Sequence, residues 1–412
     1  MKVIFLFSRI KFPRCLGLSL EFIFLGLLAS QSVAQEKTEK EEILLNNPAI
    51  IIQATEAVNM MYDFNFAEAN KRFKWIKNDY PDHPMGYFLL GLSEWWRIVP
   101  DVEETRYDKS FLAYMDTAIN KAEAMGGKKS ENVEKVFFLA GAYAFKARLN
   151  SERENYTKAS FTGKKALQYL QKSREYLDWS PEFLFGEGLY NYYREWIPDN
   201  YKYLKPIMLF FPKGDKQEGI KQLEKNAQVS FYTRTEAQYW LMRIYDEEND
   251  QKNSFRMAKY LFETFPNNPY FHRYYARLLF TGGELVETEV QSRSIIDRIN
   301  ENWTGYEANS GRYASFFLGY IYQFRDNDLN LARLHYEEAI QFSESNGALD
   351  TGYNLWSHAY LARMDDEFGN KEGAINHYEL IKEYADKKSE LGKESRKYLK
   401  KNKKSKGFLF FG

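Results

Sequence analysis

The sequence predicts an all-α solenoid of about eight helix pairs, closed by a C-terminal capping helix. Three observations predict it. Small and aromatic residues recur at helical spacing and run onto a proline: Ala69, Phe73, Ile76 and Pro81, then Ser254, Ala258, Leu261 and Pro266. Helix stops recur between such stretches, at Pro81, Pro100, Gly126-Gly127 and Gly282-Gly283. The chain has 412 residues, 44% of them hydrophobic and 28% charged, too long for one compact core but suited to an array that grows by stacking.

Residues 1–34 read as an export signal expected to be cleaved before Gln35. Lys2 to Arg14 form a basic region, residues 16–28 are apolar, and Ser32 and Ala34 are the small residues at the cut. Glu21 interrupts the apolar run, which argues against a permanent membrane span. Cys15 is the single cysteine and lies in this segment, so the mature chain is expected to fold without disulfides. Phe12-Pro13-Arg14 is the wrong lead-in for a lipid-bearing cysteine. Residues 35–47 are charged and read as a flexible leader.

The helices then follow in order. Asn47-Pro48 supplies an N-cap and a first-turn proline for helix one, with Ala54, Ala57, Val58 and Met61 inward. Its partner runs over 66–79. Pair two spans 84–98 and 108–125. Pair three opens at Ser130, turns Phe138, Ala140, Gly141 and Ala144 inward, and returns over 157–177. Pair four is irregular. A helix over 181–195 is followed by an insertion, 196–214, carrying Pro198, Pro206 and Pro212. Hairpin connections usually run about 2–8 residues, so this one reads as a cap on the local core or as a lid over a groove. Its second helix starts at Gly214-Asp215 and turns Ile220, Leu223 and Ala227 inward.

Pair five places Leu241 and Tyr245 opposite Ser254, Ala258 and Leu261. Pair six starts at Asn268-Pro269, with Tyr275, Ala276 and Leu279 inward. Pair seven uses Leu318, Gly319 and Tyr322 against Ala332, Tyr336 and Ala339. Pair eight uses Ala359 and Ala362 against Ala374, Tyr378 and Ile381. A basic terminal helix, about 389–400, suits the cap that an exposed repeat end needs. Residues 408–411 form an apolar ending, read as a frayed end or a docking peptide.

The spacing at Ala69/Phe73/Ile76/Pro81, Ser254/Ala258/Leu261/Pro266, Ala332/Tyr336/Ala339 and Ala374/Tyr378/Ile381 resembles the tetratricopeptide repeat (TPR), a helix–turn–helix unit of about 34 residues. The resemblance covers most of 48–386, and pairs two, three, four and six are degenerate. It implies a TPR-like right-handed superhelical solenoid whose concave groove holds a peptide or protein segment. No short groove code stands out, so no ligand-contacting residues carry over.

A net charge of zero hides a segregation. Residues 1–34 carry +3 and residues 387–406 carry +8, which leaves −11 on residues 35–386. An acidic body argues against nucleic acid along the solenoid. His83, His272, His335, His358 and His377 show no ligand spacing, and no nucleophile elbow or phosphate loop is present. No catalytic residue, cofactor or metal is therefore assigned, and the chain is expected not to be an enzyme.

Aromatics make up 17% of the chain, and most are expected to fill the gaps between helices. Those weighed as partner-binding are Trp95, Trp96, Tyr193, Trp196, Tyr203, Phe210 and Phe211. Adjacent helical residues point about 100° apart, so at most one of Trp95 and Trp96 is expected to face the core fully. The expected function is a scaffold in the cell envelope, periplasmic or outer-membrane-associated, binding a protein or peptide in its concave groove. The basic tail offers peripheral membrane contact. The alternative is a glycan- or small-ligand-binding solenoid that uses exposed aromatics.

Overall fold

The computed structural model describes residues 43–126, 132–202, 205–209 and 211–408. The export signal, the start of the leader, Ser130, Tyr203, Phe210 and the last four residues lie outside the described residues. Those described form eighteen α-helices and no strand. The helices pair as antiparallel hairpins: α1 (Pro48–Tyr62) with α2 (Phe66–Asp79), α3 (Met85–Ile98) with α4 (Asp108–Ala124), and α5 (Val133–Glu152) with α6 (Tyr156–Ser173). α7 (Phe183–Asn200) pairs with α9 (Lys216–Val229), with the one-turn α8 (Lys205–Met208) between them. Next come α10 (Arg234–Glu247) with α11 (Gln251–Thr264), and α12 (Pro269–Thr281) with α13 (Leu285–Asn300). α14 (Ala308–Phe324) with α15 (Leu329–Ser345), α16 (Gly352–Glu367) with α17 (Lys371–Tyr384), and the capping α18 (Glu390–Phe408) complete the chain. The fold is an all-α helical solenoid.

Most hairpin turns share one device. A residue with positive φ follows the first helix: Phe64, Glu154, Asn249, Gly283, Asn327 or Gly369. The next residue caps the second helix, as Asn65, Asp250, Asp328 and Asn370 do by accepting backbone N–H groups of its first turn. Its own N–H reaches back into the first helix, Asn65 to Met60 O at 2.9 Å and Asp250 to Tyr245 O at 2.7 Å. That bond satisfies a carbonyl the helix end would otherwise leave open. The turn thus takes three residues and fixes the two helices antiparallel.

Three expectations are corrected. The leader does not extend to residue 47, because Leu44 and Leu45 are buried and the Leu45 N–H donates to Glu134 Oε1 at 2.7 Å. The insertion of pair four is shorter than 196–214. α7 continues to Asn200, because burial of Trp196 and Ile197 holds its last turn and Pro198 forfeits only one bond near the helix end. On α5 the inward residues are Phe138, Leu139, Ala142 and Tyr143, while Ala144 is exposed and Ala140 and Gly141 half-buried. α5 is apolar on several sides, so its sequence defines no single stripe.

The first helices of successive pairs touch one another: α1 with α3, α3 with α5, α12 with α14, α14 with α16. They therefore lie on the inner side of the curve. Close crossings need small residues. A Cβ on Gly219 of α9 would stand 2.6 Å from the Tyr192 nitrogen and 2.7 Å from the Gly188 oxygen of α7, both backbone atoms that cannot swing aside. Gly219→Ala is expected to lower stability by about 1–3 kcal/mol in urea unfolding, the cost of forcing two packed helices apart. A variant as stable as the parent would show that this crossing is slack.

Candidate functional site

An inner helix of a solenoid ordinarily leaves one stripe facing an open groove. α10 has no such stripe: every residue from Thr235 to Tyr245 is buried. The reason lies far away in sequence. The spiral curls until its first two pairs meet pairs five, six and seven, and the ends of α1 and α3 cover α10.

Glu236 is the point of contact. Its Oε1 accepts the Trp96 Nε1–H at 2.7 Å and the Tyr62 O–H at 3.1 Å, while its Oε2 is buried without a partner. Burial pushes this carboxyl above its ordinary range, and the two donors offset only part of that cost. One oxygen accepts both bonds, and the other has no partner. Around it, Trp96 packs edge-on against Tyr62, Tyr239 and Phe271, with centroids 4.8–5.5 Å apart.

Beside this cluster, Arg148 of α5 and Arg243 of α10 both donate to the Tyr239 hydroxyl, at 3.0 and 2.7 Å. Burial raises that phenol, but the two guanidiniums outweigh it and hold its pKa below the usual tyrosine value. Both arginines also lie over the Trp240 ring, at 4.9 and 4.8 Å. Glu247 sits 4.0 Å from Arg243; burial, helped by Asp246 and Glu248, lifts its carboxyl to about 7.

Polar pairs seal the rim of the closure. Asn267 donates to Asp63 through its backbone at 3.0 Å and its side chain at 2.9 Å, and Asn268 Nδ2 donates to Tyr62 O at 2.7 Å. Arg273 Nη2 donates to Pro100 O at 2.9 Å, Asn309 to Asp101 at 3.0 Å, and Arg106 pairs with Glu307 at 3.0 Å.

The proposed aromatics take different places. Trp95 and Trp96 are both fully buried, which corrects the expectation that only one would be. Trp95 faces its own stack, against Phe111 and Phe145, while Trp96 faces the returning turn of the spiral. Trp196 is buried and Tyr193 half-buried, and Tyr193 lies edge-on to both Trp196 and Trp240. These four are therefore core. Phe211 is half-buried, and its carbonyl accepts from Arg194 at 3.1 Å.

Beyond the closure the inner surface opens. On α14 the stripe Tyr313, Tyr320, Phe324 is half-buried to exposed, Phe324 at 54%. On α16 the stripe Tyr353, Trp356, Tyr360, Arg363 is half-buried throughout. Phe324 and Tyr360 meet at 5.5 Å, and the Arg363 guanidinium lies 5.5 Å from both Trp356 and Tyr360. Sequence reasoning missed this patch, although its steps of three, four and seven residues were visible.

The histidines are hydrogen-bonded structural groups. His83 Nδ1 accepts the Met85 N–H at 3.2 Å, and its Nε2 faces Glu134 at 3.3 Å. His358 and His377 meet Nδ1 to Nδ1 at 2.9 Å, which requires at least one to be neutral, and burial lowers the pKa of His358 to about 4. Among the described residues, no group of three or more His, Cys, Asp or Glu side chains could hold a metal ion, and no helix is long and apolar enough to cross a membrane.

No protein-family model and no curated protein matches the chain. Solved structures similar to it include the human IFIT1 dimer with m7Gppp-AAAA: TM-score 0.43, 13% identity, over 77% of this chain and 67% of that one. The same protein with PPP-AAAA gives a TM-score of 0.39 at 13% identity, covering 77% and 68%. The TPR domain of P58(IPK) gives 0.25 at 13% identity, covering 85% and 99%. Overlap this loose assigns no relative.

Two substitutions test the closure. Glu236→Gln keeps an oxygen for both donors and is expected to cost no more than about 1 kcal/mol, whereas Glu236→Ala orphans Tyr62 and Trp96 and is expected to cost about 2–4 kcal/mol in urea unfolding. Equal costs would mean that an ionised carboxylate is required. Glu247 has a folded pKa above its unfolded one, so its contribution is full below pH 4.5 and is lost as pH rises through about 7. Glu247→Gln is expected to shrink the loss of stability between pH 5 and pH 8 by about 1–3 kcal/mol. An unchanged pH profile would remove Glu247 from this account.

Proposed function

We propose that the chain is a non-enzymatic, exported helical-repeat scaffold that holds a segment of an envelope protein on the inner surface of α14 and α16. The observation that carries this reading is the division of the inner face. From α1 to α10 the chain's own side chains fill it, so the expected groove narrows to the later pairs. There, Phe324 stands largely exposed beside Tyr320, Trp356 and Tyr360. Rigid aromatics with an adjacent arginine are the side chains that dominate binding energy when a partner covers them. Export rests on the pattern of residues 1–34, and a binding role rather than catalysis rests on the lack of a nucleophile, acid–base or phosphate-loop motif in the sequence.

The test is crosslinking and pull-down of the full chain, expressed with its own leader, against a Phe324→Asp, Tyr360→Ala variant. One or a few envelope proteins should be captured by the parent, with capture about tenfold weaker in the variant. Equal capture would move the site elsewhere. If no protein is enriched but a glycan array binds through the same two residues, the carbohydrate reading replaces this one.

A further inference from the structure

α2 carries Ala67, Lys71 and Lys74 at spacings of four and three, which places them on one face of the helix. That face forms one wall of a cleft of about 570 Å³. Arg97 of α3 forms the opposite wall, and Thr304 of the α13–α14 loop closes it. The cleft thus lies on the seam where the first turn of the spiral meets the sixth pair.

Its electrostatics run against those of the rest of the body. Lys71, Lys74 and Arg97 line it and no carboxylate does. Among the described residues, none of the three has an ion-pair partner. Arg72, between the lysines, is instead engaged by Glu56. Arg97 is held flat, its guanidinium 4.4 Å from the Phe66 ring centre and 5.5 Å from that of Tyr107, and its Nε–H is buried with no acceptor. The first turn of α2 points the same way. The Asn65 side chain caps only the Glu68 N–H, which leaves the Phe66 and Ala67 amides without an acceptor in residues that line the cleft. On a body of net charge −11, three uncompensated cations and two free helix amides converge on one concavity.

We propose that this cleft binds the phosphate group of a small soluble organic phosphate. Lys71 and Lys74 neutralise the charge, and the Arg97 guanidinium, fixed between Phe66 and Tyr107, adds a third cation. The α2 amides and the Thr304 hydroxyl take the remaining oxygens. Phe64 and Phe66 give the organic portion an apolar wall. A ligand seated here touches both the first turn and the α13–α14 loop, so binding favours the closed spiral.

The test is calorimetric titration of the full chain with glycerol 3-phosphate and with inorganic phosphate, at fixed ionic strength. The expected result is saturable binding that Lys71→Ala, Lys74→Ala weakens at least about tenfold. Both lysines are exposed, so folding is preserved. Lys252→Ala, Lys259→Ala on α11 is the control and should bind like the parent. Phosphatidic-acid vesicles form a second arm: lysine-dependent flotation without glycerol 3-phosphate binding would show a lipid-borne phosphate and overturn the soluble ligand. Equal affinity for sulfate and chloride, or unchanged binding in the α2 variant, would overturn the site itself.

Discussion

The structure depends on one buried carboxyl. Glu236 stands where a solenoid would have open groove, and it is tolerable there only because Trp96 and Tyr62 supply donors from two other helices. Remove those partners and α10 carries an unsolvated acid at its centre. Keep them, and the ends of α1 and α3 must lie across the inner face of the fifth pair. The Asp63–Asn267 and Asp101–Asn309 contacts follow from that placement, because the turns after α1 and α3 are then carried against α12 and α14.

This closure changes what kind of repeat protein the chain is. In an open array each unit answers only to its neighbours, and the inner face is free along its whole length. Here the early units answer to distant ones and their inner face is spent on internal packing. The surface that remains, on α14 and α16, is short and aromatic. A groove of that size suits a brief segment rather than a long wrapped partner.

What could be read in the sequence was the local part of the design. Helix α2 was expected over the residues it occupies, because a proline follows it and its apolar steps are regular. The positive-φ turns, at Phe64-Asn65, Asn249-Asp250, Asn327-Asp328 and Gly369-Asn370, show in the sequence only as a capping Asn or Asp, because they hold no proline and no Gly-Gly pair. The fate of Trp96 was not legible. Its acceptor lies 140 residues away, and nothing in a periodic pattern reports a contact between non-adjacent repeats. The cationic cleft was half legible: Lys71 and Lys74 share a helical face in any reading, but Arg97 and Thr304 join them only through tertiary structure.

The distance from Trp96 to Glu236 also has a meaning in time. A chain is made from its N-terminus at about 5–20 residues per second, so α3 exists on the order of ten seconds before α10. Until then Trp96 and Tyr62 have each other, but neither the Glu236 carboxyl nor the rings of Tyr239 and Phe271 to meet. The two earliest hairpins therefore leave synthesis with an unfinished apolar face, which stays open until the far helices arrive.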